Sequence, residues 1–152
     1  MATRDELYAK FGITAEAAQL FETELGTLLL CSRGIENGWH ILPDRDQAQS
    51  VLDKIDRSTL GHLLTVLKRR VVFEGDLETQ LASAIKARNR LIHGFYERHD
   101  FRIQSEEGRD LMIADLELLH DELLRAWKIA GAMTTLVLDN MLRECSQNSE
   151  DV

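Results

Sequence analysis

The stretch Ala87–Asp100 reads ARNRLIHGFYERHD and packs three arginines and two histidines into a chain that is otherwise acidic. Within it, Arg88, Asn89 and His93 carry the most specific chemistry. A guanidinium is a planar fork of N–H donors that fits a carboxylate or a phosphate. Histidine is the side chain that exchanges a proton near neutral pH, as a general base must. On a helical wheel at about 100° per residue, Leu77, Leu81, Ala84, Ile85, Leu91, Ile92 and Phe95 fall within roughly 60° of Arg88. Arg88 therefore stands at the centre of an apolar face. Burying it unpaired is prohibitive, so it must meet a carboxylate, line a polar cleft or face a second subunit. Glu22, Glu24 and Asp115 are its candidate partners. Lys86, Asn89 and His93 share a flank roughly 100–160° away. His93 also suits a helix C-terminus, where carbonyl dipoles favour a cation and Gly94 could end the helix.

The elements that must hold these residues read as helices. Thr3-Arg4-Asp5-Glu6 has the form of a capping box, with Gly12 as a stop. Thr14 then caps a longer helix in which Ala17, Leu20, Phe21, Leu25, Leu28 and Leu29 recur at helical spacing up to Gly34. Residues 34–46 read as the main loop. A helix through Val51, Leu52 and Ile55 follows, and another spans about Ser58 to Arg70. Val71-Val72-Phe73 has strand-like composition but no partner strand. Asp76 is expected to cap a helix from Leu77 to about Phe95. Ser105 opens a long final helix reaching roughly Arg143, with a bend expected near Gly131. The expected fold is all-α, an antiparallel bundle of four to five helices with a long C-terminal helix. One domain over residues 1–145 and a frayed, disordered tail over 146–152 complete the reading.

Composition narrows the function. At 152 residues the chain is long enough for one proper core. One proline and nine glycines leave few turns for a many-stranded sandwich. A net charge of −8 excludes a generic nucleic-acid coat. The charge is uneven, however. Residues 86–102 hold five Lys or Arg against two acids, a net of +3 that leaves −11 for the remainder. Cys31 and Cys145 are too few and too distant for a disulfide framework or a metal motif. No leader or spanning segment is visible, so a cytoplasmic protein with no membrane partner is expected.

Arg88-Asn89-Arg90-Leu91-Ile92-His93 resembles the Arg, polar residue, three variable residues, His motif of the HEPN superfamily. Those domains are small α-helical bundles of prokaryotic toxins, defence systems and some RNases. The resemblance covers roughly residues 14–143, and Thr59-Leu60-Gly61-His62-Leu63-Leu64 is similar to the helix start that often precedes the motif helix. It implies a metal-independent endoribonuclease active as a homodimer, with no cofactor. The ribose 2′-hydroxyl of single-stranded RNA would attack the adjacent phosphate and leave a 2′,3′-cyclic phosphate. By that resemblance Arg88, Asn89 and His93 are catalytic. Lys86, Arg90, Tyr96, Arg98, His99 and Arg102 form an RNA-contacting basic rim. An antitoxin or other regulatory protein is an implied partner. The family's two-gene toxins carry a tyrosine two residues after the histidine, a target of neutralising AMPylation. Phe95 stands there instead, with Tyr96 next.

Other clusters carry less. Asp44, Asp46, Asp53 and Asp56 read as solvated charge rather than a metal site. His40, His62 and His120 read as surface or core-edge residues, and Cys31 as inert core. A second function class remains, a non-catalytic HEPN-like dimer that binds a protein or nucleotide. The two diverge on Arg88: opening with His93 onto one cleft marks the enzyme, and locking to an internal carboxylate marks the module.

Overall fold

The computed structural model describes residues 1–151. Among these the chain is all-α, with six α-helices, one short 3-10 segment and no strand. They are α1 (Arg4–Asn37), α2 (Arg45–Arg57), α3 (Leu60–Lys68), α4 (Leu77–Ile92), α5 (Phe95–His99), the 3-10 segment Asp100–Gln104, and α6 (Glu106–Glu150). The long C-terminal helix is present and extends past the expected boundary, with helical backbone through Glu150 where a tail was expected from Ser146.

Local capping explains most starts. Thr3 and Glu6 form a reciprocal capping box: the Glu6 N–H donates to Thr3 Oγ1 at 3.1 Å, and the Thr3 N–H to Glu6 Oε2 at 2.7 Å. Asp44, Thr59 and Ser105 accept the N–H groups of Gln47, His62 and Gly108. Asp76 departs from expectation, since its side chain caps nothing.

The two helices expected over 3–34 are one. Gly12 is helical and exposed, and a mid-helix glycine costs only about 1 kcal/mol. Thr14 is fully buried and donates its hydroxyl to the Lys10 carbonyl at 2.8 Å, an interior arrangement rather than a cap. Gly34 does not end the helix either. A Cβ there would meet Met141 at 3.1 Å and Trp39 at 3.3 Å, so its smallness serves packing. The end comes at Gly38, in the left-handed conformation at φ 69°.

The bundle is mixed rather than wholly antiparallel. The Ala2 N–H donates to Asp110, Gly131 faces Glu24, and Gly34 faces Met141, so α1 and α6 advance together in parallel. Residues 38–105 carry the chain back to the starting end. Arg90 and Ser83 of α4 bond Asp115 and Glu122 of α6, and Arg88 bonds Glu22 of α1, so α4 runs against both long helices. The core between them includes Phe21, Leu25, Leu28, Leu81, Leu91, Met112, Leu116 and Leu123. Burying each such side chain contributes about 1.5–3 kcal/mol. Helix α2 crosses α1 at Gly26, where a Cβ would come within 3.1 Å of Ile55.

Candidate functional site

Helix α4 buries Leu81, Ala84, Ile85 and Leu91; its last turn carries Arg88 and Asn89, and His93 follows as its C-cap. Arg88 sits on the buried side, as the wheel predicts, but at its margin. Its Nε donates to a Glu22 carboxylate oxygen on α1, and its Nη1 to Asn89 Oδ1 at 3.2 Å. The two charged side chains are 24% and 28% exposed, so the pair forms a wall and not a sealed core bridge. Of the three candidate partners, Glu22 is the one used.

His93 owes its position to the end of the helix. It is the C-cap, at φ −110° and ψ 48°, and Gly94 follows at φ 132°, a conformation glycine adopts without Cβ strain. On an ideal helix the His93 and Arg88 side chains would stand about 140° apart. Both residues, with Asn89, line one open cleft of about 760 Å³. Among the described residues the His93 ring makes no hydrogen bond or ion pair.

The opposite wall is the α2–α3 junction: Ile55, Asp56, Ser58, Thr59 and Gly61. Thr59 caps α3, so the positive end of that helix faces the cleft. Glu22 and Asp56 oppose it with negative charge. An anion entering here would be held by the unused edge of Arg88 and the start of α3. Glu22 would keep the guanidinium in place. Thr23, Ile55 and Ser58 escaped the sequence reading, because their contribution depends on how α2 crosses α1.

The residues expected to form a rim separate into two groups, and none of the six lines the cleft. Lys86 and Arg98 are exposed and form no ion pair among the described residues. Arg90 instead donates to Asp115 Oδ1 at 2.5 Å. His99, expected at the surface, is buried at 5% exposure. Its Nε2 lies 2.7 Å from Asp115 Oδ2 and its Nδ1 3.1 Å from Nη1 of Arg102. Arginine can only donate, so Nδ1 accepts and Nε2 carries the proton toward Asp115. Tyr96 is 38% exposed and packs against Phe11 and Phe95 with ring centroids 5.2 and 5.3 Å apart. Burial, then the neighbouring Tyr8, pushes its hydroxyl pKa up. Burial, then Glu24, likewise raises the half-buried Cys31 thiol.

Among the described residues no three His, Cys, Asp or Glu side chains stand together to hold a metal ion. No helix among them is long and apolar enough to cross a membrane. No protein-family model, curated protein or solved structure matches the chain.

Proposed function

We propose that the chain is a HEPN-type endoribonuclease that cleaves single-stranded RNA without a metal, at a site completed by a second copy of itself. The observation that carries this reading is the convergence of Arg88, Asn89 and His93 on one open cleft. His93, free of protein partners, takes the proton from the ribose 2′-hydroxyl. The 2′-oxygen forms a bond to the adjacent phosphorus, and the bond to the 5′-oxygen breaks. The departing oxygen takes its proton from water, which an open cleft admits. Arg88, held by Glu22, presents its remaining N–H groups to the phosphorane oxygens. Asn89 braces Arg88 through their 3.2 Å hydrogen bond. A second copy is supported by exposed apolar groups beside the motif: Ile92, Tyr96 and Tyr8 are 45%, 38% and 48% exposed. Control by an antitoxin or other regulatory protein fits an enzyme of this type.

The Arg88–Glu22 pair favours a second reading, a non-catalytic helical dimer in which Arg88 is architectural. Purified protein incubated with mixed single-stranded RNA in chelator decides between them. Cleavage leaving cyclic-phosphate ends, and lost in both Arg88→Ala and His93→Ala, is the expected result. Intact RNA with wild-type protein, together with unfolding of Arg88→Ala and an unchanged His93→Ala, gives the binding module.

A further inference from the structure

A second cavity, of about 210 Å³, lies where α1, α2 and α3 meet. Its floor is apolar, made by the buried Leu29, Val51, Ile55 and Leu63. Its rim carries Arg33, Lys54 and His62, and no acidic residue lines it. None of these three forms an ion pair among the described residues. In a chain with 26 acids against 18 Lys and Arg, an apolar depression ringed by unpaired basic side chains is what solvated surface charge does not explain. The cavity is also continuous in its lining with the Arg88–His93 cleft, since Ile55, Ser58 and Leu63 border both.

We propose that this cavity is a nucleotide subsite, where the apolar floor takes one face of a base and Arg33 and Lys54 hold the adjoining phosphate. The chemistry divides as such a ligand does. A base offers a flat face to aliphatic side chains, and its phosphate seeks mobile cations at the surface. The His62 ring adds a polar contact at the edge. In placing the strand this rests on the ribonuclease reading: RNA that enters at Arg88 and His93 crosses the α2–α3 junction at Ser58 and sets a flanking nucleotide in the second cavity. The substrate is then a strand longer than the two nucleotides that flank the broken bond.

The test uses the whole chain, with adenosine monophosphate as probe and inorganic phosphate as control, followed by amide chemical shifts. The nucleotide is expected to shift residues 51–58 and 62–66. The double variant Arg33→Ala, Lys54→Ala should weaken its binding about tenfold, while His93→Ala leaves it unchanged. In RNA cleavage the same double variant should raise KM and flatten the salt dependence by about one unit of slope per lost phosphate contact. Shifts confined to the cleft, or none, overturn the subsite. Inorganic phosphate binding as tightly as the nucleotide reduces the cavity to an anion patch and overturns it equally. Nucleotide binding at this cavity with intact RNA keeps the subsite and sinks the ribonuclease reading. Cleavage with a wild-type KM in the double variant keeps the ribonuclease and sinks the subsite.

Discussion

His93 and His99 stand at the two ends of one short helical stretch, and the fold treats them in opposite ways. Both ring nitrogens of His99 are engaged, by Asp115 and Arg102, and the ring packs on Phe95 with centroids 4.7 Å apart. His93 is exposed and has no partner among the described residues. The arginines divide likewise. Arg90 belongs to the Asp115 network, whereas Arg88 keeps part of its fork toward the cleft. A basic segment in an acidic chain is thus two devices: a closed network that ties α4, α5 and the 3-10 segment to α6, and an open site on the other side of α4. Residue type does not separate them. What separates the two histidines is whether the ring nitrogens already have partners.

The hardest test of the closed network is Gly108→Ala. An added Cβ would sit 2.0 Å from the Arg102 carbonyl oxygen, so the 3-10 segment must move. The expected loss is about 3 kcal/mol, a melting-temperature drop of roughly 6–12 °C, read by thermal denaturation. A neutral outcome would mean that the segment is not held against α6. Next, His99→Ala should cost about 2 kcal/mol through lost packing and an under-bonded Asp115. His93→Ala should stay within about 0.5 kcal/mol in the same denaturant titration. Equal losses would erase the distinction between the two histidines. Glu22→Gln should lower stability by about 1 kcal/mol, since both members of its pair are partly solvated. A loss as large as that of His99→Ala would move Arg88 into the structural camp.

The smallest effect concerns Tyr96, which packs on Phe11 and Phe95 beside the closed network. Its folded hydroxyl pKa lies above the ordinary 10.0, so folding favours the neutral phenol. That contribution is fully present below pH 10 and is lost as pH rises through the folded value. Tyr96→Phe should therefore flatten the alkaline decline in stability; an unchanged decline would assign it to other groups.

Local signals in the sequence carried the helical class, the caps at Thr3 and Ser105, the stop at Gly94 and the misplaced arginine. Each depends on residues a few positions apart. Gly12, Thr14 and Gly34 misled for the complementary reason. Their roles are decided by long-range packing rather than by near neighbours, and packing over-rules capping and glycine preference. Arg88 had three plausible acids, but nothing in the chain reveals that Asp115 is already engaged by Arg90 and His99. The burial of His99 is equally silent, because a five-residue helix is too short to display a periodic face. The far wall of the cleft was not legible, because it depends on how α2 crosses α1 and meets α3.

The parallel pairing of α1 and α6 also sets a schedule for synthesis. Ala2 bonds a residue 108 positions away, so α1 is made well before the helix that covers it. At about 5–20 residues per second, α1 leaves the ribosome and waits roughly 5–20 s for its partner. During that interval Phe21, Leu25 and Leu28 have only α2 to α4 to lean on. A nascent chain of this protein therefore carries an uncovered apolar stripe for most of its translation, a surface on which a chaperone or a neighbouring nascent copy can act before the native fold exists.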